Sequence, residues 1–130
     1  MTKPDLVPSV SVVATLIVDG TDLEVRLSAL EKLGAFSGTV RVPLAHVVAV
    51  RVTNEPYAEL KGMRVGTGIP WVIVLGRMIY PGGKDFVAIY GTGRTVVVDL
   101  APSEAYRRIL VSTDDARIAE EIAARIDRRA

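Results

Sequence analysis

The sequence has no cysteine. Disulfides, thiol redox chemistry, cysteine nucleophiles and thiolate metal sites are therefore excluded, and so is a disulfide-stapled secreted scaffold. It has one histidine, His46, which leaves zinc poorly served. Aromatic residues are scarce: two phenylalanines, four tyrosines and one tryptophan. Sheet-type nucleic-acid modules stack bases on exposed aromatics. Here Trp71, Tyr80, Phe86 and Tyr90 fall in a Val/Ile-rich hairpin that reads as core, so no nucleic-acid partner is expected. Long apolar runs are missing too. Val12–Val18 and Ile69–Leu75 extend over about seven residues, where a membrane span needs about 20, so no integral membrane insertion is expected. Neither sign of charge dominates: 16 basic residues face 15 acidic ones, a formal net charge of +1. No global field draws in nucleic acid or an anionic membrane. The opening Met-Thr-Lys-Pro-Asp lacks the basic and apolar regions of a signal peptide, and a cytoplasmic protein is expected.

Catalytic templates are equally thin. Gly34-Ala35-Phe36-Ser37-Gly38 comes nearest to a nucleophile elbow, but its serine stands one position late. His46 follows a Pro43 turn and reads as a turn histidine. Gly91-Thr92-Gly93-Arg94-Thr95 has the look of the end of a phosphate-binding loop, yet Ala88 and Arg94 stand where glycine and lysine are needed, and a strand follows. Gly66-Thr67-Gly68 lacks the third glycine of a dinucleotide fingerprint, and Pro70 blocks the helix start. Asp19, Thr21 and Asp22 are the nearest cluster of oxygen ligands but read as turn formers. No enzyme activity, metal or cofactor is expected.

What is present is a change of hydrophobic rhythm. From about Ser11 to Thr113 short apolar runs alternate with polar residues or are β-branched, and turn residues separate them. Val12–Val18 and Leu23–Leu27 flank Asp19-Gly20-Thr21-Asp22 as a hairpin. Ala29–Leu33 forms at most one helical turn. Strands are expected at Thr39–Val42, around Val48–Val52, and at Trp71–Tyr80, Phe86–Tyr90, Thr95–Leu100 and Tyr106–Ser112. Tight turns between them predict a mainly antiparallel meander. The span 54–70, with Pro56, Gly62, Gly66, Gly68 and Pro70, reads as the longest irregular loop. From Asp114 to Arg129 the period becomes helical: Ile118, Ile122 and Ile126 recur at four-residue spacing, and Thr113 or Asp114 can cap the start. With 130 residues, one domain over 10–130 and a flexible tail over 1–9 are expected.

About seven antiparallel strands closed by one C-terminal amphipathic helix resembles the pleckstrin-homology-like superfold. The stretch Leu44-Ala45-His46-Val47-Val48-Ala49-Val50-Arg51-Val52 resembles the mid-sheet turn and strand of such domains. Thr67-Gly68-Ile69-Pro70, Gly83-Lys84-Asp85-Phe86 and Tyr106-Arg107-Arg108-Ile109-Leu110-Val111 resemble stretches of PH-like proteins from actinobacteria. The resemblance implies a mainly β fold, a PH-like sandwich or partly open barrel of about seven strands capped by the helix. It also implies a job in lipid, peptide or protein binding, or in self-assembly. Phosphoinositide-binding members concentrate lysine and arginine around the first hairpin loop. Here Asp19 and Asp22 stand in that loop and would repel a phosphorylated headgroup, so phosphoinositide binding is discounted.

Charge is unevenly spread along the chain. Residues 41–94 carry seven basic groups against Glu55, Glu59 and Asp85, so the middle holds +4 and the two ends together −3. Lys61, Arg64 and Lys84, with Trp71 and Tyr80, are the candidate partner-binding residues, since tryptophan, tyrosine and arginine dominate interface hot spots. The competing reading has Trp71 plugging one end of the sandwich while the cations are solvated. The expectation is a non-catalytic module that recognises a protein partner or another copy of itself. The alternative is a small-molecule or lipid carrier with an apolar cavity between sheet and helix.

Overall fold

The computed structural model describes residues 14–27, 40–69, 72–91, 93–115 and 117–129. The expected tail at 1–9, the helical turn at 29–33 and Trp71 lie outside the described residues. The described chain is mainly β, a two-sheet sandwich with one helix and no closed barrel.

The smaller sheet has the order β1 (Thr15–Asp19), β2 (Asp22–Arg26), β3 (Val40–Pro43), all antiparallel. Its alternation follows the sequence. Leu16, Leu23, Val25, Val40 and Val42 are buried on the inner face, while Asp19, Arg26 and Arg41 face out. Gly20, at φ 64°, supplies the left-handed residue that a two-residue turn requires. A 3-10 turn at Leu44–His46 follows Pro43 and leads into the second sheet.

That sheet has six strands among the described residues: β4 (Val47–Thr53), β5 (Met63–Ile69), β6 (Ile73–Tyr80), β7 (Gly83–Tyr90), β8 (Thr95–Leu100) and β9 (Arg108–Ser112). Their spatial order is β4-β8-β9-β7-β6-β5. The meander expectation fails at one place. After β7 the chain skips a position to make β8, and β9 returns into the gap, parallel to β7 and antiparallel to β8. The nearly continuous apolar runs in these strands, such as Phe86–Ile89 and Val96–Val98, are fully buried. Strands covered on both faces need no alternation.

One face of this sheet packs on the smaller sheet through Leu75, Phe86, Ala88, Val96, Val98, Ile109 and Val111. The other buries Val74, Met78, Val87, Ile89, Val97 and Leu110, with Tyr57 and Leu60 packed against them. Those two residues belong to the segment 54–62. Because β4 and β5 are at opposite edges, the chain crosses the whole face between them, with a 3-10 turn at Pro56–Glu59 on the way.

The expected irregular loop over 54–70 is thus half right. Residues 54–62 cross over, but Met63–Ile69 pairs with β6 over all seven residues. Glycines at 66 and 68 read as strand breakers, yet Gly66 faces Gly76 across the ladder, at φ 137° and 142°. A Cβ at Gly66 would strike the Leu75 carbonyl, and one at Gly76 the Val65 carbonyl. The glycines let two backbones approach where any side chain would hold them apart.

The helix α1 (Arg117–Arg129) packs on β4, β1 and the 3-10 turn after β3. Ile122 is fully buried, Ala119 nearly so, and Ile118 and Ile126 lean on the same core. Burying one such isoleucine contributes about 1.5–3 kcal/mol. The cap is Asp115 rather than Thr113 or Asp114: its Oδ1 accepts from the Arg117 N–H at 2.9 Å.

Candidate functional site

Residues 60–84 hold four basic side chains, Lys61, Arg64, Arg77 and Lys84, and no aspartate or glutamate. The nearest carboxylates are consumed within the fold. Asp85, 1% exposed, accepts from Tyr80 Oη at 2.6 Å and from Arg108 Nη2 at 2.7 Å. Glu59 accepts from Arg108 Nη1 at 2.9 Å and from both terminal nitrogens of Arg51, at 2.9 and 2.6 Å. The result is a chain of polar contacts running Tyr80–Asp85–Arg108–Glu59–Arg51 under the crossover.

This network shifts its members in ways its geometry explains. Arg51, then Arg108, hold the Glu59 carboxyl below its ordinary value. Burial, then the hydrogen bond to Asp85, push the Tyr80 phenol up to about 12. Sequence reasoning missed the network. One signal was available: Asp85 alternates with Val87 and Ile89, so it had to share their buried face and find a partner there.

The candidate binding residues are distributed as follows. Lys61 and Tyr80 are brought together, with the Lys61 ammonium 4.3 Å from the ring centroid. Arg64 lies along β5, its side chain over Gly68, where a Cβ would collide with the guanidinium. Lys84 is on the opposite face from Tyr80, because it alternates with Asp85. Its ammonium sits 5.2 Å from the Tyr106 ring, which packs edge-on against Phe86. Lys84 therefore does not join Lys61 and Tyr80 in one patch, and Trp71 lies outside the described residues.

Around these cations the surface is apolar. Met63 is 67% exposed, Ile69 52%, Val72 57% and Ile79 39%. All four belong to the β5–β6 hairpin, whose outer member β5 is an edge of the sheet among the described residues. The other edge, β4, also exposes Val48 and Val52, but it is broken by a bulge at Val47–Ala49 and covered by the helix. Bulges and covering elements are how proteins blunt an edge. β5 has neither.

The other surface features read differently. Asp19 and Asp22 do stand at the first hairpin, and Arg41 reaches both, at 3.4 and 2.9 Å, and also Glu24 at 3.3 Å. His46 Nδ1 lies 2.5 Å from Glu104 Oε2. A groove of about 580 Å³ runs between β1 and the start of the helix, lined by Ala14, Leu16 and Ile118 but rimmed by Thr113, Asp114, Asp115, Arg117 and Glu121.

No family model matches the chain, and no curated protein or solved structure matches it either.

Proposed function

We propose that this chain is a non-catalytic protein-interaction module, and that its contact surface is the β5 edge with the β5–β6 hairpin. The single observation that carries this reading is the company of that edge: an unbulged seven-residue strand flanked by four exposed large apolar side chains. Exposed apolar patches next to an open strand edge favour association or strand addition. A sandwich closed by a C-terminal helix agrees with the resemblance to PH-like binding scaffolds, although the parallel β7–β9 pair is not part of the pattern which that resemblance implies.

The Tyr80–Asp85–Arg108–Glu59 network supports a non-catalytic role as well. Each charged group in it is spent on another, and together they fasten the crossover to the sheet. The carrier alternative calls for an enclosed apolar cavity between sheet and helix. The groove beside the helix is rimmed by charged side chains, which suits hydrocarbon poorly.

A photo-crosslinking side chain at Met63, compared with one at Glu120 on the helix, tests the proposal in native extract. A discrete adduct from Met63 alone is expected, whether with another protein or a second copy. Adducts of equal yield at both positions, or none at Met63, would remove the basis for the assignment.

A further inference from the structure

Resting on that reading, we propose that β5 takes up an extended segment of another protein as an added strand, and that this segment alternates acidic with apolar residues.

The backbone prepares the edge. The Val72 N–H donates to the Ile69 carbonyl at 2.9 Å, closing the β5–β6 turn. The Leu75 and Val65 carbonyls lie against the Gly66–Gly76 pair. Bonded and non-bonded pairs alternate along an antiparallel ladder. Gly66–Gly76 is thus a non-bonded pair, and Val65 and Thr67 turn their main-chain groups toward β6. Arg64, Gly66 and Gly68 turn theirs away from the sheet, where an incoming strand can use them.

Side chains set the chemistry of that strand. Positions 64, 66 and 68 share one face, and two are glycines, so Arg64 is the only side chain there. Among the described residues it has no ion-pair partner, and Lys61, on the same side of the sheet over the Tyr80 ring, has none either. A carboxylate on the incoming strand would meet Arg64 across the bare glycines. The other face carries Met63, Val65, Thr67 and Ile69, with Ile79 beside Met63 and Arg77 beside Val65; its exposed members Met63, Ile69 and Ile79 call for apolar partners. A second copy fits worse. It offers no carboxylate anywhere in residues 60–84 and would set cation against cation.

The test is fluorescence anisotropy of the full chain with a short synthetic peptide alternating valine and glutamate, set against its valine–lysine counterpart and single-stranded oligothymidylate. Binding of the glutamate peptide alone is expected, weakening as salt rises. Arg64→Glu should weaken it by about tenfold. Gly68→Pro, which removes an outward N–H but no ladder bond, should also cost about tenfold while the thermal melt stays put. Arg94→Glu, far along the chain, should change it less than about twofold. Equal binding of the lysine peptide would overturn the proposal, as would tighter binding of the oligonucleotide. So would a peptide-independent dimer in light scattering that Gly68→Pro dissolves, which would give the edge to a second copy. If Met63 crosslinks a partner but no acidic peptide binds, the interaction module stands and the acidic strand falls.

Discussion

Arg108 holds Glu59 twice: Nη1 donates to Oε1 at 2.9 Å, and Nη2 to the Glu59 main-chain oxygen at 2.7 Å. The same guanidinium donates to the buried Asp85, so one side chain ties the crossover between β4 and β5 to the centre of the sheet. The β5 edge depends on that tie, because the crossover delivers the chain to β5.

Removing the cation from the middle of this network should be costly. Arg108→Met leaves Asp85 buried without its counter-charge, and a loss of about 3–5 kcal/mol is expected in urea unfolding. Arg51→Ala removes only the exposed partner of Glu59, and about 0.5 kcal/mol is expected. Similar costs for the two would refute a buried tie at Arg108.

Acid should act through Glu59. Its carboxyl titrates below its ordinary value in the fold because Arg51, and then Arg108, stabilise the charged form. In the unfolded chain it returns to about 4.3. Its contribution is fully present above that value and is lost as pH falls through the lower folded one. The urea midpoint should therefore decline as pH drops below about 4.5. Glu59→Gln should decline less steeply there. Asp115, lowered to about 2 by its hydrogen bond from Arg117, acts with the same sign further down.

At the alkaline end the group to watch is Tyr80. Its phenol is pushed up to about 12 by burial and by the Asp85 carboxylate it donates to. The stability it contributes is present below the unfolded value of about 10 and lost as pH rises through the folded one. Ultraviolet titration of phenolate should find one tyrosine ionising about two pH units late. Tyr80→Phe should erase that step and cost about 1 kcal/mol. A late step that survives the substitution belongs to another tyrosine.

The glycine pair makes a backbone prediction. Gly66→Ala places a methyl against the Leu75 carbonyl at a left-handed φ, and about 2 kcal/mol of destabilisation is expected by chemical denaturation. Gly93→Ala, with open space around it and no left-handed φ, should fall within about 0.5 kcal/mol of the parent. If Gly66→Ala proves as mild as Gly93→Ala, the close approach of β5 and β6 is wrong.

Local chemistry sufficed for a good part of the molecule. The Leu23–Leu27 alternation, the Asp-Gly turn and the isoleucine stripe of the helix all act between residues a few positions apart, so the sequence states them directly. The mainly β sandwich with its C-terminal helix follows from that rhythm.

Tertiary structure decided what depends on neighbours distant in the chain. Gly66 reads as a breaker until Gly76 stands opposite it, since close backbone approach is a property of two strands and not of one. β9 enters between β7 and β8, where a meander places nothing. Lys84 and Tyr80 are four residues apart yet face opposite ways, because a hairpin turn and the two-residue period of the strand come between them. Of the candidate cations, the sequence by itself named their types. Which of them share a surface was settled only when the crossover drew Glu59 onto Arg108, and left Arg64 on an edge strand with no acid beside it among the described residues.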